Sequence, residues 1–520
     1  MRAPVRGVTL LEMIVPLGIR RSSPRLISAS IASVLDSLVV RGTPRSIWIV
    51  LLSAIALGGG LGAATAVLPP FAALGAVVGV LVTGVLLYSV RAGLVCVCAI
   101  ITLLPFGVIP VKLGASLTFL DATLGIMTLV WLLRLLLPVD PARVRGPSPF
   151  MAISTVVCLW IGASFLSFLV GSGFSAPQAD TVRMYLKVVL ATLYFVVTVQ
   201  TVRDERTLRI AVLALVLGGA AAAGLGVVLY VLPHGLATQL LSGLRVVGYP
   251  SGADVLRFRV DFNHAERAIS TSVDPNILGG LLVIVGALAL SQTFSRRALL
   301  WRPAAAACSA LTLFCLLLTY SRGAWIALSV AVVVMATWQY RRLLIVFAVA
   351  LLVFVQLPAS KTFTTELQSG VQVQDKAAGM RLGEINDSLR LIGRYPVFGV
   401  GFGAAPDSDL YVGVSNIYLL VGEETGIAGL ALFVTAIGLY LVTMVTALPR
   451  MRDPVLRGLG VGLFGAAAGM LTAGMFDRYF FSHPHDVALF WLCLALGLCC
   501  AAIDADKDCA GSEAPARAGP

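Results

Sequence analysis

Apolar segments of about 20 residues recur along the chain, and this pattern constrains the fold more than any other feature of the sequence. An α-helix of that length spans a hydrocarbon core of about 30 Å. Of the 520 residues, 58% are hydrophobic and 12% are charged, whereas a soluble protein carries about 25% charged residues. The sequence therefore predicts an all-α integral membrane protein, a polytopic bundle of about 12–14 transmembrane helices.

The charged loops between these segments set the expected topology. The arginine-rich loops, such as RDERTLR (203–209) and LPRMRDPVLR (448–457), all follow even-numbered spans. Lysine and arginine favour cytoplasmic loops, so these loops and both termini are expected on the cytoplasmic side of the inner membrane. The odd-numbered connections then face outward. The fourteen candidate spans are roughly 46–68, 71–90, 92–110, 118–137, 150–170, 185–202, 208–232, 276–292, 303–320, 323–339, 342–357, 425–447, 456–476 and 486–503.

Two of the outward connections are long, and long loops in a compact protein are usually functional. The expected organisation is a basic cytoplasmic extension (1–45), N-terminal transmembrane helices (46–232), an extracytoplasmic loop (233–275), central transmembrane helices (276–357), a large extracytoplasmic loop with short helices (358–414), C-terminal transmembrane helices (415–503) and a cytoplasmic polar tail (504–520).

The predicted spans carry almost no charge in their interiors, which excludes some classes of function. Ion-coupled transporters usually have acidic groups near the bilayer midplane, so a proton-driven pump is disfavoured. The sequence has no GxxxxGK loop, and therefore no nucleotide-driven step is indicated. Cysteine and histidine do not recur at metal-ligand spacing, so no metal is expected. No nucleic-acid partner is expected either.

Two stretches of the outward face precede or join apolar spans. In RAISTSVDPNILGG (267–280), Arg267 precedes a turn in which proline and Asn276 open a helix. In TYSRGAWIAL (319–328), Arg322 lies in a connection of only a few residues, where the positive-inside rule depletes arginine. Ser321 and Gly323 are expected to shape a tight turn there. Snorkelling of Arg322 to lipid headgroups is the alternative.

Two further stretches follow the second long loop. In MRLGEINDSLRLIGRYPVFGVGFGAAPD (380–407), an amphipathic helix is expected to begin at Arg381 and to end at Pro396. Its glycines, at 399, 401 and 403, predict a flexible loop. In SNIYLLVGEETGIAGLALF (415–433), a short piece with Tyr418 leads through Glu424 and a glycine into the twelfth span.

The order SRGAW, a long outer loop, R…P-x-x-G-V-G-x-G and N-x-Y-L…E-x-G-I-x-G-L resembles the O-antigen ligase and O-antigen polymerase family, over about Arg267 to Phe433. The resemblance implies a GT-C-like membrane glycosyltransferase whose donor is a polyprenyl-diphosphate-linked glycan, without a cofactor. The resemblance also implies a glycan, lipid or protein acceptor and a site surrounded by membrane lipids. By position, Arg322 and Arg381 match the essential arginines of the family, and Arg267 is a third candidate.

Guanidinium groups suit this chemistry, because they bind diphosphate oxygens bidentately. The other expected substrate-binding residues are Asn276, Ser321, Arg390, Asn416, Tyr418, His483 and His485.

This sequence departs from the family at Ser415, where relatives often have a histidine proposed to activate the acceptor hydroxyl. The candidates to replace it are Glu424, His264, His483, His485 and Asp407, and Glu424 and the HPH pair are favoured. These residues do not distinguish a ligase from a polymerase. A transporter of lipids or polysaccharide and a non-catalytic assembly scaffold are the alternatives from other classes.

Overall fold

The computed structural model describes residues 83–86, 89–109, 117–136, 150–174, 176–249, 266–356, 376–403 and 413–513. The basic extension, the first predicted span and most of the second lie outside these residues. The helices in chain order are α1 Val90–Leu103, α2 Phe119–Leu136, α3 Met151–Ser172, α4 Ala179–Thr201, α5 Glu205–Val231, α6 His234–Gly243, α7 Pro275–Phe294, α8 Arg302–Leu318, α9 Arg322–Trp338, α10 Arg341–Gln356, α11 Lys376–Arg394, α12 Ile417–Ala447, α13 Pro454–Ala473, α14 Tyr479–Ser482 and α15 Pro484–Glu513.

The protein is an all-α multi-pass membrane protein, as the apolar segments predict. From the third onward, each predicted span coincides with one of the described helices, and seven helices are long and apolar enough to cross a bilayer: α3, α4, α5, α7, α12, α13 and α15. The described residues contain no β-strand, only an isolated bridge between Val108 and Thr118. Helix α15 runs to Glu513, so the predicted polar tail begins as a continuation of the last span.

Two helices that are apolar all round form the centre of the bundle. In α7 and α15, 89% and 94% of the apolar span is buried against other helices. Helix α13 packs closely on α7 because Gly462 and Gly469 face it, and added side chains there would lie 2.3 Å from the hydroxyl of Ser291 and 2.6 Å from Val283. Small residues at helix–helix contacts allow this approach in a membrane, where apolar burial contributes little to helix association.

Contacts between connections divide the described bundle into two ends. At one end, Arg91 binds Asp204 at 3.2 Å, and Lys507 binds Glu205 at 2.5 Å and Asp453 at 2.7 Å. These residues come from the loops and the C-terminal tail that are expected in the cytoplasm. The described parts of the other connections gather at the opposite end, where α9 begins, and we call it the Arg322 end.

Candidate active site

Arg267 links the start of α7 to the turn between α8 and α9. Its guanidinium donates to the side-chain oxygen of Asn276 at 2.8 Å and to the carbonyl of Thr319 at 2.7 Å. Asp274 caps α7 by accepting from the backbone N–H of Asn276 at 2.7 Å. Two of the predicted residues, Arg267 and Asn276, are therefore paired, and they fix the turn that carries Arg322.

The turn before Arg322 is built differently from the prediction. The residue with the left-handed backbone is Tyr320, with φ 50°, and Ser321 is the N-cap residue of α9 without a capping hydrogen bond from its side chain. Gly323 is already helical, and a Cβ there would lie 2.9 Å from that of Phe476. The glycine is thus needed for close approach to the segment Gly474–Arg478 and does not shape the turn.

Arg322 is the first residue of α9 and is half-buried. A cation at this position faces the positive end of the helix dipole, which costs roughly 0.3–1 kcal/mol. Backbone N–H groups at a helix N-terminus attract anions for the same reason. The position of Arg322 therefore favours a negatively charged ligand beside the first turn of α9.

The segment Gly474–Arg478 connects α13 to α14 and joins the elements of the site. The carbonyls of Gly474 and Met475 accept from the backbone N–H of Ile417 at 2.8 Å and from the side-chain amide of Asn416 at 3.1 Å. Arg478 donates to the carbonyl of Gly413. This segment therefore fixes the start of α12 against the start of α9.

Asn416 and Tyr418 use their polar groups inside the protein. The side-chain oxygen of Asn416 caps α12 by accepting from the N–H groups of Tyr418 at 3.0 Å and Leu419 at 3.1 Å. The hydroxyl of Tyr418 donates to the carbonyl of Leu471 at 2.8 Å. Both residues, expected to bind substrate, hold α12 on α13 in this structure.

Helix α11 presents Arg381 toward the same segment. The helix begins at Lys376, five residues before the predicted start, so Arg381 lies in its second turn and is exposed. One turn later, the carboxylate of Glu384 accepts from the backbone N–H of Ser415 at 3.0 Å. Ser415 is therefore held by the helix that carries Arg381.

Arg390 does not join this group. It lies nine residues after Arg381, which places it on the opposite face of the helix. Its side chain is 68% exposed and lies 3.8 Å from the carboxylate of Asp387. The structure thus separates Arg390 from the other predicted arginines.

Asp477 is the acidic residue of this region that sequence reasoning missed. Burial raises its pKa, the N–H of Arg478 at 2.7 Å lowers it, the charge of Asp274 raises it, and the charges of Arg381 and Arg478 lower it. The charges of Asp274, Arg381 and Arg478 therefore all lie close enough to Asp477 to act on its carboxyl group. The sequence signal was the outward segment FDRYFFSHPHD, in which no partner for the aspartate can be recognised.

The glycine-rich segment after α11 packs against α12 and is not the flexible loop that was predicted. Helix α12 is interrupted at Gly426, with φ 67° and ψ −174°. The N–H groups of Val400 and Gly401 donate to the carbonyls of Glu423 and Glu424, at 2.8 and 3.0 Å. Because buried backbone groups need partners in a membrane, this docking makes the interruption possible.

Of the two glutamates before the interruption, Glu423 is buried and Glu424 is partly buried. One carboxylate oxygen of Glu424 has no hydrogen-bond partner among the described residues, and its backbone carbonyl also accepts from Ser167. Glu423, which sequence reasoning missed, is fully buried and accepts from the N–H of Gly413 at 3.3 Å. Glu423 therefore fixes the same loop that Arg478 contacts.

The two histidines of the HPH segment line a cavity of about 440 Å³ at the Arg322 end, and Asp274 lines it as well. The other candidates to activate the acceptor, His264 and Asp407, lie outside the described residues. In the part of the chain that the structure describes, no cluster of three or more His, Cys, Asp or Glu side chains is arranged to hold a metal ion.

Residues 307–434 match the family described as O-antigen ligase. The matched range includes Arg322, Arg381, Ser415 and Glu424, and it ends before the segment Gly474–Arg478. A search of curated proteins finds no match.

Proposed function

We propose that the chain transfers or polymerises a glycan carried on polyprenyl diphosphate, because residues 307–434 of this multi-pass membrane protein match the O-antigen ligase family. The domain supports a role in glycan ligation or polymerisation. Ligation and polymerisation share the transfer step, and only the acceptor distinguishes them. The reaction makes a glycosidic bond from the sugar carbon that is attached to diphosphate.

One observation carries the proposal. Arg322 and Arg381 are far apart in the sequence, yet both adjoin the segment Gly474–Arg478: Gly323 packs on Phe476, and the charge of Arg381 acts on Asp477. Arg267 fixes the turn before Arg322. Three guanidinium-bearing elements in one region suit a diphosphate, because planar guanidinium groups match its oxygens.

The chemistry follows from the charge that develops during transfer. A hydroxyl oxygen of the acceptor attacks the anomeric carbon, and the bond from that carbon to the diphosphate oxygen breaks. The electron pair leaves with the diphosphate, whose negative charge grows in the transition state. Arginines that are already oriented at the membrane boundary stabilise this charge more than water does, because the local dielectric is lower.

The active site belongs on the outer side of the cytoplasmic membrane. The arginine-rich loops lie at the opposite end of the bundle, where Arg91, Asp204 and Lys507 form ion pairs. Such loops favour the cytoplasm, so the Arg322 end faces outward.

Purified protein in liposomes tests the function. The probe is the lipid-linked glycan extracted from cells that lack the protein, which accumulates when transfer is blocked. A new glycosidic bond, detected by mass spectrometry of the glycan, supports the enzyme. Movement of lipid-linked glycan across the bilayer without a new bond supports the alternative, a transporter.

Substitution of Arg381 and Arg390, two of the three arginines of α11, tests which face of that helix is used. Arg381→Ala should lower the transfer rate about 10- to 150-fold, because a hydrogen bond to a charged group is worth about 1.5–3 kcal/mol. Arg390→Ala should stay within about twofold of the wild type, since an exposed ion pair contributes little. Initial rates in liposomes measure both. Equal losses in the two variants would contradict the orientation of α11.

A further inference from the structure

A cavity of about 440 Å³ lies beside the arginines and is not used by the mechanism above. This size falls in the range of small-ligand sites, roughly 300–1,000 Å³. Its walls combine polar side chains, namely Asp274, His483 and His485, with the apolar side chains of Phe106 and Met184. Hydroxyl-binding groups beside an aromatic ring suit a sugar, which has polar edges and apolar C–H faces.

One short segment contributes both to the cavity and to the arginine region. Asp274 lines the cavity and caps α7, and Asn276, two residues later, holds the guanidinium of Arg267. The cavity lining and the residue that binds Arg267 therefore lie only two positions apart in the chain. This adjacency is what an acceptor site needs, because the attacking oxygen has to reach the sugar carbon on the diphosphate.

The segment before Asp274 has a strained backbone. Ser270 and Val273 have φ values of 50° and 60°, and Val273 lines the cavity. A β-branched residue in this region is a rare outlier, and such strain persists only where the surrounding structure enforces it. Ser270 is fully buried and donates to the carbonyl of Ala222 at 2.8 Å, which holds the segment in place. The cavity wall is thus rigid before any ligand binds.

His483 is the group in the cavity that is suited to accept a proton. Its Nδ1 atom is buried and has no hydrogen-bond partner among the described residues. Burial lowers its pKa, the charge of Asp274 raises it, and the charge of Arg478 lowers it, with a net decrease from the usual value. The neutral imidazole, which is the basic form, therefore predominates at neutral pH.

His485 has a different role in the same wall. It is 4% exposed, its ring lies 4.7 Å from that of Phe106, and its Nε2 atom lies 3.4 Å from a carboxylate oxygen of Asp486. These contacts fix the ring as part of the cavity surface. His483 remains as the more accessible of the two histidines.

We propose that this cavity binds the acceptor saccharide and that His483 accepts the proton of its attacking hydroxyl. The inference rests on the proposed function and supplies the base that Ser415 lacks. The hydroxyl oxygen forms a bond to the anomeric carbon as its proton moves to the imidazole of His483. The bond to the diphosphate breaks at the same time, and its electron pair leaves with the diphosphate.

Chemical modification of histidine tests the binding site directly. Purified wild-type protein in nanodiscs is treated with diethyl pyrocarbonate, and modification of each histidine is quantified by peptide mass spectrometry. The glycan acceptor fraction extracted from cells that lack the protein should protect His483 at least about tenfold, while undecaprenyl diphosphate alone should not. His234 is the internal control, since it lies outside the cavity and pairs with Glu266 at 3.0 Å. Equal modification of His483 with and without the acceptor fraction would overturn the assignment.

Kinetics test the proton transfer. His483→Gln should lower turnover about 10²- to 10⁴-fold, the usual contribution of a general base. The donor concentration for half-maximal rate should stay unchanged, and added imidazole should restore turnover to His483→Ala. His234→Ala should transfer at the wild-type rate, and thermal melting in detergent checks that all variants fold.

The outcomes separate this inference from the proposed function. Wild-type protein that makes no glycosidic bond contradicts the proposed function itself. Wild-type protein that transfers glycan while His483→Gln transfers it equally well contradicts only the role of His483. Transfer to a protein acceptor, with no protection of His483 by saccharide, contradicts the assignment of the cavity.

Discussion

Replacing Arg322 with alanine is expected to lower the rate of glycan transfer by about 10²- to 10³-fold without unfolding the protein. Removal of one preorganised donor to a developing negative charge costs about this much in other enzymes. Arg322→Lys should recover little of the rate, because an ammonium group cannot bind two oxygens in the fixed geometry of a guanidinium. The rate is measured in liposomes with extracted lipid-linked glycan.

A matched control is available at the same end of the bundle. Arg183 lies in the first turns of α4 and pairs with the exposed Asp180 at 2.8 Å. Arg183→Ala removes an arginine from this end of the protein while sparing the candidate site, so it should keep the wild-type rate. If Arg322→Ala also keeps that rate, the diphosphate is not bound at the start of α9, and the mechanism proposed above is wrong.

The second large effect is expected at Gly426, where α12 is interrupted. Gly426→Ala should destabilise the protein by about 2–5 kcal/mol and abolish transfer. A side chain in the left-handed region costs about 1–2 kcal/mol, and overpacking adds about 1–3 kcal/mol. The overpacking is direct, since the added Cβ would lie 2.3 Å from the carbonyl oxygen of Val397.

Gly438 provides the comparison within the same helix. A Cβ at Gly438 meets no other atom within 4 Å, and its backbone is helical. Gly438→Ala should therefore leave thermal melting in detergent unchanged or raise it, because alanine is a better helix former than glycine. Similar melting of the two variants would show that the interruption tolerates a side chain and that the docking of the segment after Pro396 is dispensable.

The helices could be predicted from the sequence because the bilayer imposes their length and composition. Each described helix from α7 to α10 begins within one residue of the predicted span. Helix α11 was harder, since its first turn carries no apolar stripe that distinguishes it from the preceding loop. The glycines at 399 and 401 predict a flexible loop, because glycine has wide conformational freedom. Their packing against the interruption of α12 depends on a distant segment and cannot be recognised in the sequence.

The candidate site was predictable only in part. Arg322 and Arg381 could be selected from their motifs, and their roles remain predictions. Glu423 and Asp477 could not be selected, because their importance lies in burial and in partners from other segments. Asn416 and Tyr418 were selected for their motif. In the structure, the side chain of Asn416 caps α12, and the hydroxyl of Tyr418 donates to a carbonyl of α13.

The interruption of α12 has a further consequence for biosynthesis. The segment 396–401 leaves the ribosome before the carbonyls of Glu423 and Glu424 that it binds. Helix α11 therefore lacks this anchor until α12 has been inserted, and the segment Gly474–Arg478 is made later still. The contacts of this segment with Gly323, Asn416 and Gly413 can form only after synthesis has passed Arg478, so we expect the candidate site to be completed last.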